Sequence, residues 1–213
     1  MSATHARKKP FLRLATAAVA MVAALGMAAC SGGASTSSSS SSSAQVGDRS
    51  PEQIKEAGEI VIGIFSDKAP FGYIDADGKP AGYDVVYGDR IAADLGVTAK
   101  YVPVDAAART EVLASNKVDI TLANFTVTPE RAEKVDFANP YFKVSLGVVS
   151  PTSAEITDVS QLAGKTLIVT KGTTAEAYFE ANHPEVKLQK YDQYSDAYQA
   201  LEDGRGDAFS TDN

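Results

Sequence analysis

The run Ile60-Val-Ile-Gly-Ile-Phe65 carries no polar side chain and constrains the fold more than any other stretch. It reads as a buried strand. Downstream, short apolar runs alternate with segments of helical period. Residues 83–95 place Val86, Ile91 and Leu95 near one helical face, and Gly96 closes that helix. Strands are expected at Tyr101-Val-Pro-Val104, with its proline near a sheet edge, and at 118–123, 144–149, 166–170, 186–191 and 207–210. Helices are expected at 107–115, 174–181 and 194–203, and Asp75-Ala-Asp-Gly78 is a turn. Strands separated by helices define an α/β fold with mainly parallel sheets. Hydrophobic residues at 44% suffice for a packed core, and no internal repeat is visible.

The beginning of the chain has a different character. Arg7, Lys8, Lys9 and Arg13 precede Leu14–Ala29, an uncharged run of 16 residues, shorter than the roughly 20 that a spanning helix needs. Residues 1–30 read as an export signal. Small residues lead into Cys30 in Leu25-Gly-Met-Ala-Ala-Cys30, which resembles a bacterial lipobox whose cysteine is acylated after cleavage. Met27 stands three before the cysteine, where Leu is usual. A plain secretory signal with an accidental cysteine is the alternative. Residues 31–54 read as a tether, with seven consecutive serines at 37–43. A Ser/Gly coil of about 18 residues spans roughly 20–25 Å, so a domain hung on it stays near the membrane and moves freely.

The folded part divides near Gly147–Pro151, giving a first lobe at 55–149 and a second at 150–213. The second lobe stops at Ser210-Thr-Asp-Asn213, just past a strand, and reads as incomplete.

Charge and composition exclude several functions. The chain carries −7 overall, and −11 without the four basic residues of the leader, so no general basic surface exists for nucleic acid. One cysteine and two histidines, one of them in the leader, argue against an internal disulfide, a resident metal or a Ser-His-Asp triad. No cofactor is implied.

Three stretches carry chemistry. In Ala123-Asn-Phe-Thr-Val-Thr-Pro-Glu-Arg131 a strand ends and a helix begins, with Thr128 as N-cap and Pro129 in the first position. Arg131 can curl back over the strand end, where ligands of α/β sheets sit, and its guanidinium fork suits a carboxylate, with Thr126 nearby. Its other reading is a surface helix residue. Val169-Thr-Lys-Gly-Thr-Thr-Ala175 is strand, turn and helix start, whose N–H groups attract an anion. In Gly206-Asp-Ala-Phe-Ser-Thr-Asp-Asn213, Asp212 can hold an ammonium group or serve as a turn residue. Arginine on one side, aspartate on the other and helix N–H groups between them fit a zwitterion. Neither a nucleophile–base pair nor a metal cluster accompanies them.

These residues resemble a known family, the amino-acid-binding subunits of ABC importers, or family 3 solute-binding proteins, with the type II periplasmic-binding-protein fold. The resemblance covers residues 55–213. It rests on Pro70-Phe-Gly-Tyr73, Gly82-Tyr-Asp-Val85, Lys117-Val-Asp-Ile120, Thr126-Val-Thr-Pro-Glu-Arg131, Val135-Asp-Phe137, Pro140-Tyr141, Lys171-Gly-Thr173 and Gly206-Asp-Ala208. The resemblance implies two lobes closing on one amino acid, no catalysis, a membrane permease as partner and a lipid-anchored monomer outside the cytoplasm.

It also implies roles. Arg131 takes the ligand α-carboxylate, helped by Thr126. Asn124 faces the ligand, Asp212 takes the α-ammonium, and Thr173 and Thr174 offer amides. An aromatic residue covers the ligand, with Phe65, Phe71 and Tyr73 as candidates. Arg109 matches an arginine that reaches the side-chain carboxylate in glutamate- and aspartate-binding relatives; its alternative is a solvated helix residue. Phe65-Ser-Asp-Lys-Ala-Pro-Phe-Gly-Tyr73, Leu122-Ala-Asn-Phe-Thr126, Lys143-Val-Ser-Leu-Gly147 and Lys171-Gly-Thr-Thr-Ala175 are most similar to the cysteine-binding branch. Cysteine is therefore the first expected ligand and an acidic amino acid the second. The rivals are a dehydratase of the same fold, with Asp67 or Glu176 as acid, and the sensor module of a receptor kinase. His183 is expected in a surface loop, and Tyr191, Tyr194 and Tyr198 in helix packing.

Overall fold

The computed structural model describes residues 45–212. The leader, Cys30 and the serine run lie outside the described residues.

Residues 45–54, read from the sequence as the end of the tether, are folded onto the domain. Helix α1 (Pro51–Ala57) is capped by Ser50, whose side chain accepts from the Gln53 amide. Before it, Asp119 accepts from the Gly47 amide at 3.0 Å and from the Val61 amide at 2.7 Å, and pairs with Arg49. A β-carbon on Gly47 would lie 2.6 Å from the Asn116 Cα, so this segment sits directly on the domain. Serine repetition gives no signal for where the chain docks, because the docking partner is 70 residues away.

Strand β1 (Glu59–Ile64) follows, with Ile60, Val61, Ile62 and Ile64 at most 3% exposed. A small antiparallel sheet comes next, formed by β2 (Asp67–Lys68), β3 (Gly72–Ile74) and β4 (Pro80–Ala81). Helix α2 (Tyr83–Leu95) has the expected bounds and ends at Gly96 with φ 75°. Its buried face is Asp84, Val85, Gly88 and Ala92, while Val86 is 71% exposed. At 100° per residue, burying Val85 turns Val86 outward.

Strand β5 (Thr98–Pro103) lies parallel to β1 at the sheet edge, where Pro103 leaves no central ladder bond unmade. A 3₁₀ turn leads into α3 (Arg109–Ala114). Strand β6 (Ile120–Thr121) pairs parallel with the other side of β1, giving the order β5-β1-β6. It is shorter than the expected 118–123 because the chain then leaves the sheet, with Asn124 at φ 44°. Helix α4 (Pro129–Ala132) starts as expected, Thr128 accepting from the Arg131 amide.

The second sheet has the order β7-β10-β8-β9, from β7 (Leu146–Val149), β8 (Thr166–Thr170), β9 (Lys187–Tyr191) and β10 (Ala208–Asp212). Strand β8 runs parallel to both β9 and β10, and β7 is antiparallel to β10. The hydrogen bonds of β7 put the start of the second sheet at Leu146, not at residue 150. Helices α5 (Thr174–Asn182) and α6 (Tyr194–Glu202) alternate with these strands. The architecture is the mixed α/β one that the alternating pattern implies. Among the described residues no helix is long and apolar enough to cross a membrane.

Candidate ligand-binding cleft

The chain leaving β5, β6, β8 and β9 and the last residue of β10 converge on one small cleft. It is lined by Arg109, Asn124, Thr126, Arg131, Thr173, Thr174, Tyr194 and Asp212. The residues expected to bind carboxylate and ammonium thus share one space. Parallel sheets put their ligand crevice at the carboxyl ends of strands because successive loops gather there.

Arg131 is half-buried. Its Nη1 donates to the Thr126 carbonyl at 2.8 Å and its Nη2 to the Gly172 carbonyl at 2.9 Å. Its guanidinium lies 4.8 Å from the Phe125 ring centre. The Gly172 bond joins the first half of the chain to the second, and a ligand carboxylate can replace that carbonyl at the guanidinium. Burial pulls the Arg131 pKa down, and Asp212 and Glu130 oppose the shift.

Arg109 is 2% exposed, which rules out the solvated-helix reading. Its Nε donates to the Ala106 carbonyl at 2.8 Å, and its Nη1 to the Ala123 and Asn124 carbonyls at 3.0 and 2.9 Å. Its Nη2 reaches the Gly172 carbonyl at 2.9 Å. Burial lowers its pKa to about 10, still far above neutrality. Its planar fork holds the Asn124 turn and the Gly172 turn in fixed relation.

Lys68 was not singled out from the sequence, yet it is 6% exposed and faces the same cluster. Its Nζ donates to Asn124 Oδ1 at 2.6 Å, Asp212 Oδ2 at 2.7 Å and the Tyr194 hydroxyl at 3.2 Å. The Tyr194 and Phe71 ring centres lie 4.4 and 5.3 Å from it. Burial lowers the Lys68 pKa and Asp212 opposes it. The clue in the sequence was a lysine between two apolar stretches, but its partner Asp212 is 144 residues away. Tyr194 is 8% exposed and lines the cleft, so it does more than pack its helix.

The remaining expected residues fall as follows. Thr173 caps α5, donating to the Thr170 carbonyl at 2.6 Å and accepting from the Glu176 amide at 3.2 Å. Thr174 opens that helix at the cleft. Phe65 is 1% exposed and packs edge-on against Tyr194 with ring centres 5.3 Å apart, behind the cleft wall. Tyr73 lies in β3 and is not among the lining residues. Phe71 stands over Lys68 and against Phe142. Asp67 accepts from the Ser195 amide, and Glu176 from the Gly172 amide while pairing with Lys190. His183 closes α5 beside Tyr178 and Glu185.

As drawn together, the cleft walls leave about 10 Å³, room for roughly one water. A larger cavity of about 440 Å³ lies between Leu146, Ile156, Leu162 and Phe179, but its one carboxylate, Asp158, has no guanidinium opposite it. The polar cleft carries both a guanidinium, that of Arg131, and a carboxylate, that of Asp212.

Residues 60–201 match the family described as bacterial extracellular solute-binding proteins, family 3. The chain belongs to that family. The solute receptor for L-cysteine of Neisseria gonorrhoeae is 54% identical, with a TM-score of 0.75 over 77% of this chain and 68% of that one. The cysteine-binding protein from Campylobacter jejuni is 52% identical, with a TM-score of 0.74 over 76% of this chain and 66% of that one. The ABC transporter glutamine-binding protein of Bacillus subtilis is 30% identical over 165 residues, 75% of this chain and 60% of its own length. The chain thus spans about 60% of that curated relative's length.

Proposed function

We propose that this chain captures one small polar amino acid, cysteine first, for an ABC importer, and performs no catalysis. The observation that carries the proposal is the presence of Arg131 and Asp212 on the walls of one cleft. Arg131 exchanges the Gly172 carbonyl for the ligand α-carboxylate, with Thr126 and the Thr173–Thr174 helix start beside it. Asp212 and Asn124, which already hold one ammonium group, that of Lys68, receive the α-ammonium. Arg109 shapes the cleft through its carbonyl partners, and Phe71 closes it near Lys68. Phe65 supports the wall from behind, and Tyr73 stands further out. The names of two solved structures above half identity favour cysteine.

The leader carries the chain out of the cytoplasm, and acylated Cys30 holds it on the extracytoplasmic face through the serine tether. A membrane permease accepts the loaded form from the monomer.

Aspartate or glutamate is the second reading, favoured by the three cations Lys68, Arg109 and Arg131 around the cleft. Calorimetric titration with cysteine, aspartate, glutamate, glutamine and histidine decides between them. Tight one-to-one binding of cysteine is expected, and no heat from any amino acid would overturn the capture role. Arg131→Ala removes charge-assisted bonds worth about 1.5–3 kcal/mol each, so cysteine affinity should fall at least about 100-fold with the circular dichroism unchanged. Retained affinity would refute the carboxylate assignment.

A further inference from the structure

A ligand of this cleft must satisfy the polar groups that the protein leaves open there, because a buried donor without an acceptor is costly. Arg109 is committed to the Ala106, Ala123, Asn124 and Gly172 carbonyls. Lys68 gives its three N–H groups to Asn124, Tyr194 and Asp212. Tyr194 differs from both. It lines the cleft, and its hydroxyl accepts from Lys68 at 3.2 Å. Its own O–H donates to no group among the described residues.

The hydroxyl is held in place from every side. Tyr194 is the first residue of α6 and only 8% exposed. Its ring meets Phe65 and Phe209 edge-on, with ring centres 5.3 and 6.5 Å away. The next residue, Ser195, donates its amide to Asp67, which ties the helix start to β2. Burial pushes the Tyr194 pKa up and Arg109 opposes the shift, so the O–H keeps its proton at neutral pH. Through Lys68 the phenolic oxygen is linked to Asn124 Oδ1 and Asp212 Oδ2, the end of the cleft assigned to the α-ammonium. An ammonium group brings donors only and cannot take the tyrosine proton. The α-carboxylate belongs to Arg131, on the side of Thr126 and Gly172. The acceptor for Tyr194 must then come from the side chain of the ligand.

We infer that Tyr194 determines the side-chain specificity of this cleft, its hydroxyl donating to an acceptor atom on a short ligand side chain: the sulfur of cysteine or a carboxylate oxygen of aspartate. The inference rests on the capture role proposed above. Arg131, Asp212 and Tyr194 line one small cleft, so the side chain that reaches from the α-groups to the hydroxyl is short. Lys68, bonded to the phenolic oxygen, polarises the O–H and makes it a better donor. An alkyl side chain of the same length leaves that O–H unpaired in a buried site, and the cleft discriminates by rejecting it.

The test is calorimetry of the full chain with L-cysteine, L-aspartate and L-α-aminobutyrate, which carries a methyl group where cysteine has its thiol. The same titrations are run on Tyr194→Phe. Phenylalanine keeps a ring between Phe65 and Phe209 and leaves Lys68 its bonds to Asn124 and Asp212. The parent should bind cysteine or aspartate at least about 10-fold more tightly than α-aminobutyrate. In the variant that ratio should fall to about threefold or less, with α-aminobutyrate held as tightly as by the parent or more so. An equal loss for all three ligands overturns the inference, since the hydroxyl would then only position Lys68 or receive the α-ammonium. An undiminished ratio in the variant overturns it as well. A parent that binds α-aminobutyrate as tightly as cysteine and aspartate overturns it while the capture role stands, and that comparison is read on the unaltered chain even where the variant misfolds. Binding of no amino acid overturns the capture role itself.

Discussion

Asp84 shows how a single buried group ties the cleft to the folding of the chain. It is the second residue of α2, fully buried, with Tyr141 donating to Oδ1 at 3.0 Å and no partner on Oδ2. Burial pushes its carboxyl up to about 6, while Tyr141, the Asn124 amide and Lys68 pull the other way. The folded state therefore keeps a proton that the unfolded chain has already released near pH 4. The sign follows: stability is greatest at the acid end of this window and declines as pH rises from about 4 through about 6, by up to about 3 kcal/mol. Asp84→Asn should remove that decline and be at least as stable as the parent at pH 8. Urea unfolding at stepped pH measures both, and a parent curve that rises across this window would contradict the assignment. Nothing local marked Asp84: its Gly82-Tyr-Asp-Val85 setting reads as an ordinary helix start.

Elements differ in how much of them the sequence reveals. Helix α2 and strand β8 were legible to the residue, because apolar period and a closing glycine are local signals. The Thr128–Pro129 helix start was legible for the same reason. The docking of α1 through Arg49 and Asp119, and the Lys68–Asp212 pair, were not, since each joins segments 70 or more residues apart. The turn after β8 lies between these cases. Gly172 was legible as a turn glycine, and it does adopt φ 72°. Its second role was invisible: its carbonyl accepts from both Arg109 and Arg131, and a β-carbon there would lie 2.4 Å from the Ala107 Cα. Gly172→Ala combines left-handed strain with a backbone collision that only separation of the two turns relieves. It should cost about 1–3 kcal/mol of stability and weaken amino-acid binding along with it. Thermal unfolding with and without ligand checks the pair of effects. An alanine variant of parental stability would mean that the two turns do not meet.

At the scale of the molecule, the two sheets share one of their cores. Val61, Phe65, Val104, Val112 and Val118 from the first half pack in a cluster with Ile168, Tyr194, Ala197, Ala200, Leu201 and Phe209 from the second. Tyr194 is the joint, its ring 5.3 Å from that of Phe65 and 6.5 Å from that of Phe209. Polar contacts run alongside: Lys68 to Asp212, Asp67 to Ser195, and both cleft arginines to Gly172. A cleft that admits a solute needs walls that part, and here the walls rest on a common apolar floor. Opening the cleft can break the polar contacts at the strand ends while the shared core holds, because the former exchange with water or ligand and the latter does not. Phe209→Ala separates these possibilities, since it removes a ring from the floor and leaves every cleft side chain in place. It should cost about 3–5 kcal/mol. If the core is shared, residues 45–212 unfold in one transition, and amide exchange in β1 accelerates together with that in β8. Acceleration confined to β8 and its neighbours would show two halves that fold separately and meet only at the cleft.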